Sequence, residues 1–424
     1  MNRSIVYKVT ISAALIFAAG LRPAVMTAQQ QASPGDSLVI SVLTMGPGDE
    51  VFERFGHIAI RVHDITTGVD SAYNWGMFDF AQPHFLQRFL TGDTRYWMQG
   101  FPSLPLVAAY QQNGRAVWEQ TLALTAAEKA ALKRHIETNA LEANKYYRYD
   151  YYRDNCSTRV RDALDVVLHG ELKRTANSKD NDVSYRSETL RLAVAYPITN
   201  VAMDFVLGRP ADATISAWDE MFIPMRLRDL IRGVRVRHTD GSRGRLVLSE
   251  RVLVADERYA DADHRTDLMP LALMVGMSFT ALILVLGFFA GRSGAARVAL
   301  GVAGAAWHGV VGLAGLIGLG AGVFTRHVYM GQNINWLLAT PASLALLVLL
   351  PMALRRNATP RVIGAARGLA ALTAGAAIFT VLLRAFPAFT QDNLPIIALL
   401  LPGHVAVAAV FWQVTRAPQN RSDK

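Results

Sequence analysis

The stretch YYRYDYYRDNCSTRVRDALDVVLHG, residues 146–170, holds the one cysteine in a chain of 424 residues. Asp154 and Asn155 are both N-cap residue types, placed immediately before the thiol. Beyond them Cys156, Val160, Ala163, Leu164 and Val167 fall on one helical stripe, with Arg159, Arg161, Asp162 and Asp165 mostly outside it. The pattern predicts a helix that begins at Cys156 and turns its apolar side to a core. A thiol in the first turn of a helix lies where unpaired N–H groups and the dipole favour the thiolate. The same N–H groups can hold an oxyanion on an acyl carbon under attack.

A nucleophilic cysteine needs a base, and the base needs a partner to orient it. Of the ten histidines, His57 is best placed. It lies in FGHIAIRV, residues 55–62, a strand in which Ile58, Ile60 and Val62 point one way and His57, Ala59 and Arg61 the other. The isoleucine side belongs in a core, and the other side offers an imidazole and a guanidinium to a groove. A strand before it, SLVISVLT (37–44), is separated by the turn Gly46-Pro47-Gly48-Asp49 and a short helical piece. Thr67-Gly68 turns the chain into an antiparallel strand, SAYNWGMF (71–78), which carries Asn74. Asn74 can orient the imidazole or serve strand pairing, and Asp79 is the next candidate.

The rest of this region reads as mixed helix and strand. A helix follows Pro83, HFLQRFLTG (84–92), with strands at 95–100 and 116–124. The capping box TAAE (125–128) opens a helix to about residue 144. Helical stretches follow at 187–195 and 201–207, then a hairpin over 233–255, GVRVRHTDGSRGRLVLSERVLVA. There is no metal-ligand cluster, phosphate loop or serine nucleophile elbow.

Composition divides the chain at about residue 267. From 268 onward five apolar runs, 268–290, 298–323, 333–354, 366–385 and 394–415, are each long enough to cross a bilayer. At the other end Arg3 and Lys8 precede the apolar stretch 9–21, so residues 1–28 read as a signal peptide or N-terminal anchor, with 26–28 an imperfect cleavage site. An exported first domain puts Arg292, Arg297, Arg355, Arg356, Arg361, Arg367, Arg416 and Arg421 on the cytoplasmic side, against Arg326 and Arg384 opposite. The net charge of +9 is thereby accounted for by membrane orientation, and no basic helix or aromatic–basic module points to nucleic acid. The expected division is 1–28 signal or anchor, 29–267 periplasmic Cys–His domain, 268–415 five membrane helices and 416–424 cytoplasmic tail. A lone cysteine in an exported domain cannot close an internal disulfide; it is a buried small hydrophobe or a nucleophile.

A histidine on an early strand, a polar residue on the next and Asn-Cys opening a later helix resemble the circularly permuted papain-like fold of NlpC-type peptidases and lecithin:retinol-type acyltransferases. FGHIAIRV, YNWGMFDF, the 85–92 helix, YRYDYYRDNCSTRVRD and DEMFIP are similar to the periplasmic domain of Lnb-type lipoprotein N-acyltransferases, over most of residues 38–230. TRHVYMGQNINWLLATP (325–341), at an outer loop of the membrane part, also looks like that family. The resemblance implies an α+β permuted papain-like domain followed by an all-α five-helix transmembrane bundle in the bacterial inner membrane. It implies acyl transfer from a membrane phospholipid through a Cys156 thioester to the amine of a diacylated lipoprotein, with His57 as base and no cofactor or metal.

Other residues keep two readings. Arg61 can bind a headgroup phosphate or form an ion pair. Tyr152, with Tyr146, Tyr149 and Tyr151, can touch substrate or pack around the nucleophile loop. Asn155 can contact substrate or cap the helix, and Asp162 pairs with an arginine or a loop. His327, Asn333 and Asn335 can line a lipid path or anchor at the interface, while His308 and His404 make helix-packing hydrogen bonds. The rival functions are a membrane-tethered cysteine hydrolase acting on peptidoglycan or phospholipid, and a periplasmic sensor without catalysis.

Overall fold

The computed structural model describes residues 33–179, 181–256 and 265–416, so the signal segment and all but Arg416 of the tail lie outside the described residues. Among these residues nine strands form: β1 (Leu38–Met45), β2 (His57–Asp64), β3 (Asp70–Met77), β4 (Arg95–Pro102), β5 (Val117–Leu122), β6 (Tyr146–Arg148), β7 (Arg235–Arg237), β8 (Arg243–Arg245) and β9 (Val247–Val254). Seven make one antiparallel sheet in the order β6-β4-β3-β2-β1-β5-β9. β1 lies inside it, between β2 and β5, and is buried on both faces, which is why LVISVLTM reads as a nearly unbroken apolar run.

Among the described residues nine α-helices accompany the sheet: α1 (Phe85–Thr91), α2 (Ser103–Gln112), α3 (Ala126–Ala140), α4 (Cys156–Val167), α5 (Glu171–Asn177), α6 (Tyr185–Leu192), α7 (Pro197–Val206), α8 (Ala217–Glu220) and α9 (Pro224–Gly233). On one sheet face Ile58, Ile60 and Val62 pack with Leu132 and Ile136 of α3, Val160 and Leu164 of α4 and Leu227 of α9. On the other, Leu43, Met45 and Ala59 meet Leu106, Val107 and Tyr110 of α2. The alternation expected in FGHIAIRV is therefore realised. So is the capping box: Thr125 Oγ1 accepts from the Glu128 amide at 3.3 Å and Glu128 answers at 2.9 Å.

Two readings need correction. The helix from Thr125 stops at Ala140, short of residue 144, because the chain must turn to lay β6 beside β4. The segment 233–255 is not one hairpin. β7 and β8 pair with each other, but Leu246 is fully buried and β9 leaves to pair with β5.

Six further α-helices follow among the described residues: α10 (Met269–Ala290), α11 (Gly294–Phe324), α12 (Asn335–Leu338), α13 (Leu346–Ala353), α14 (Pro360–Leu383) and α15 (Leu394–Thr415). Among the described residues they give five segments long and apolar enough to cross a membrane, with Asn335–Ala353 counted as one. That third segment is broken by a 3-10 turn at Pro341–Ala345, as proline demands. A carbonyl freed there, Leu338 O, accepts from His404 Nε2 at 2.9 Å, which supplies inside the bilayer a partner that water cannot. Gly315 permits the break: a Cβ on it would lie 1.4 Å from Ala339 O. Arg297, expected in a loop, is in the first turns of α11 and donates to Leu354 O at 2.7 Å.

The sheet domain is seated on these helices. Tyr329, after α11, packs with Tyr152, Tyr185 and Phe222, and Phe205 of α7 joins the apolar cluster of Val311, Leu338 and Ile396. Asn333 Nδ2 donates to Phe205 O at 2.9 Å and Val206 O at 3.1 Å, and Asn335 Nδ2 to Phe205 O at 2.9 Å. These amides satisfy the open carbonyl end of α7.

Candidate active site

α4 starts where it does because Asn155 caps it. Its Oδ1 accepts from the amides of Ser157 at 2.8 Å and Thr158 at 2.9 Å, and its Nδ2 donates to Tyr151 O and Phe222 O, each at 2.9 Å. Thr158 returns the bond by accepting from the Asn155 amide at 2.8 Å. Every polar atom of this side chain is thus committed to the backbone, which settles Asn155 as a cap with nothing left for substrate. The Cys156 amide, at the first helical position, donates to no backbone carbonyl among the described residues and faces its own sulfur.

The thiol is buried, 7% exposed, in the core with Ile58 and Trp75. Burial pushes it up to about 12, while the backbone N–H groups of Ile58, Ser157 and Cys156 and the charge of Arg115 pull the other way. The expectation that the helix start lowers this pKa is corrected in sign: in the closed site, desolvation outweighs the dipole. The Ile58 amide places the sulfur at the beginning of β2, one residue from His57. Gly76 makes room there. At φ +86° in the bulge of β3, its position for a Cβ is 3.4 Å from Cys156 Cβ and 3.6 Å from Tyr149.

His57 opens β2 and sets its Nε2 at 3.1 Å from Asn74 Oδ1 on β3. Asn74 is buried, and its Nδ2 donates to Ala72 O at 3.0 Å, which leaves Oδ1 as the acceptor. The imidazole must then carry its proton on Nε2, and Nδ1 keeps its lone pair. Burial lowers His57 to about 4, partly offset by the Asn74 bond and assisted by Arg115. The resting pair is thus neutral thiol and neutral imidazole. No hydrogen bond joins them among the described residues, as is common before substrate tightens a site.

Two contributors had no signal in the sequence. Tyr110 of α2 stacks on His57, ring centroids 6.5 Å apart. Arg115 lies over the Tyr110 ring at 4.8 Å, donates to Gly46 O at 3.0 and 2.9 Å and pairs with Glu53 at 3.0 Å. It puts a fixed positive charge beside both thiol and imidazole. Neither residue belongs to a recognisable spacing.

The remaining candidates fall elsewhere. Arg61 is not open to a groove: Nε and Nη2 bind Asp70 at 2.8 and 2.6 Å and Nη1 binds Glu119 at 2.7 Å, so the guanidinium is spent on carboxylates. Tyr152 is packed, its hydroxyl 2.6 Å from Thr189 Oγ1. It lines a cavity of about 310 Å³ with Arg153, Tyr185 and Tyr329, which includes neither Cys156 nor His57. His327 contacts Phe89 O through Nε2 at 3.2 Å and stacks on Tyr151 at 5.9 Å, joining the sheet domain to the membrane part. Asp162 pairs with Arg161 at 2.8 Å, and Asp79 accepts from the Ala81 amide. His404 makes the helix-packing bond expected of it, whereas neither nitrogen of His308 has a partner among the described residues.

Because the chain has a single cysteine, its titration can be followed by alkylation alone. A thiol pushed up to about 12 reacts through a thiolate fraction that rises about tenfold per pH unit. Iodoacetamide labelling of the folded protein is expected to accelerate continuously from pH 6 to pH 10. A rate flat across that range would show a preformed thiolate–imidazolium pair and contradict the neutral resting state.

Residues 25–194 match the family model of the Lnb N-terminal periplasmic domain, a match that takes in His57, Asn74, Asn155 and Cys156. No curated protein and no solved structure gives a match to the chain. Residues 25–194 are therefore similar to the Lnb N-terminal periplasmic domain, and the described residues after them include five helices fit to cross a membrane, as in a multi-pass inner-membrane protein.

Proposed function

We propose that this protein is a lipoprotein N-acyltransferase of the inner membrane, with the Cys156 domain in the periplasm and the C-terminus in the cytoplasm. The observation that carries the reading is a lone thiol at a capped helix start, beside a neutral imidazole with an open Nδ1, in a domain seated directly on membrane-crossing helices. The arginines at 292, 297, 355, 356, 361 and 367 favour the stated orientation.

In the first step His57 Nδ1 takes the thiol proton as Cys156 Sγ attacks an ester carbonyl of a membrane phospholipid. The carbonyl oxygen gains the charge, and the open Cys156 amide is a donor suited to it. Collapse breaks the ester C–O bond, and the imidazolium returns its proton to the departing alkoxide. The products are a thioester on Cys156 and a lyso-lipid. In the second step the α-amine of a diacylated lipoprotein attacks the thioester, His57 removes the amine proton, and the C–S bond breaks to give an amide and the free thiol. Asn74 holds the imidazole in the tautomer both steps require. The low imidazole pKa keeps Nδ1 unprotonated before substrate arrives, and it also makes His57 a weaker base than an imidazole titrating near the working pH.

The test is complementation of a bacterium depleted of its own lipoprotein N-acyltransferase, with lipoprotein N-termini read by mass spectrometry. N-acylated termini are expected with the wild-type chain. Free α-amines, with the protein correctly inserted and an acyl adduct still forming on Cys156, would make water the acceptor and the protein a lipid hydrolase.

A further inference from the structure

α1 has an unusual composition for the surface of an exported domain. Its sequence is FLQRFLT, and none of its residues is buried. Leu86 is 66%, Phe89 48% and Leu90 58% exposed, and Phe80 just before the helix is 67% exposed. Hydrophobic residues scattered singly on a surface need no account, but four on one corner do. That corner is also held at a fixed height. The Arg326 amide donates to Thr91 O at 2.9 Å, Arg326 pairs with Asp93 at 2.8 Å, and His327 Nε2 meets Phe89 O. Gly92, at φ +71°, lets the Arg326 backbone come within 3.2 Å of where a Cβ would stand. Arg326 is two residues past the end of α11, a membrane-crossing helix whose last residue, Phe324, is itself 83% exposed. The apolar corner is therefore continuous with the lipid-facing end of a span.

We propose that α1, with Phe80, is an interfacial helix seated in the periplasmic leaflet, holding the Cys156 end of the sheet domain against the bilayer. Aromatic and leucine side chains at the level where a span leaves the hydrocarbon are the residues that such a position favours. Behind this surface a row of rings runs inward. Phe89 and Phe85 are 6.1 Å apart between centroids, Phe85 and Phe78 6.0 Å, Phe78 and Tyr96 5.1 Å, and Tyr96 and Tyr149 4.4 Å. Tyr149 ends the row beside Cys156 at Gly76. The leaflet and the thiol are thus the two ends of one apolar row. The seating stands whether or not the acyl-transfer reading does; that reading only says what uses it.

The experiment places a spin label on the full chain in phosphatidylethanolamine–phosphatidylglycerol liposomes. In a Cys156→Ala background, Leu86→Cys and Leu90→Cys are labelled separately, so that poor folding of one leaves the other. Val302→Cys, on the lipid side of α11, and Thr66→Cys, at the exposed β2–β3 turn, are the references. Oxygen partitions into lipid and a nickel chelate into water. At positions 86 and 90 the oxygen-to-nickel collision ratio is expected to resemble that at 302 and exceed that at 66 by about threefold or more. Ratios at both positions equal to that at 66 would overturn the seating, and would do so without any bearing on whether Cys156 transfers acyl groups.

Discussion

Cys156→Ala is expected to lower N-acylation by at least about 10⁴-fold, with the protein still folded and inserted. Alanine removes one sulfur from a side chain whose role in packing is small. The core around it is held by Ile58, Trp75, Val160 and Leu164, and the cap on α4 uses Asn155, not the thiol. The loss should therefore be chemical. Its signature is the disappearance of the acyl adduct on the enzyme, detected as a hydroxylamine-labile mass shift when wild type meets donor lipid without acceptor. His57→Gln should fall almost as far at pH 7, but should recover as pH rises toward the thiol's own range, because hydroxide can then do the work of the imidazole. A Cys156→Ala protein that still acylates lipoproteins would remove the nucleophile assignment and, with it, the proposed mechanism.

Much of this site was legible because local rules and tertiary structure agree. The alternation in FGHIAIRV separates Ile58 from His57 by one residue, and the sheet keeps that separation. Asn155 before Cys156 and Thr125 before α3 cap their helices as their types predict, while Asp154 pairs with Arg159 instead. The five spans were visible from length and hydropathy alone. What escaped is what depends on partners distant in sequence. Arg61 alternates onto the same side as His57 and looks available, yet Asp70 and Glu119, 9 and 58 residues away, consume it. Arg115 carries no motif and becomes a site residue only because α2 and the Gly46 turn close around it. The sign of the Cys156 shift depends on such partners too. Helix position is written locally, whereas burial is a property of the assembled core.

The junction between sheet domain and membrane helices sets the second large expectation. Arg186 of α6 is fully buried. Its Nη1 binds the side chain of Asp204 and Asp204 O, each at 2.7 Å, its Nη2 binds Leu207 O at 2.7 Å and Gly208 O at 3.2 Å, and its Nε binds Asp212. The same short segment carries the docking contacts. Gln391 donates to Leu207 O at 3.2 Å, the Gly208 amide to Tyr329 O at 2.8 Å, and the Asp392 amide to Asp212 Oδ2 at 3.2 Å. Arg186→Met keeps most of the volume but leaves two carboxylates and three carbonyls without the guanidinium's donors in a buried place. Breaking a buried pair from one side costs about 3–5 kcal/mol, mostly from the charge left behind. The expected result is a marked fall in the thermal inactivation temperature in detergent, with new proteolytic cleavage between residues 200 and 215. Arg186→Lys should recover only part of the loss, since one ammonium cannot reach acceptors arranged around a planar fork. If Arg186→Met melts with the wild type, the clamp is not what seats the domain. The contacts of Asn333 and Asn335 with the end of α7 would then have to carry that role.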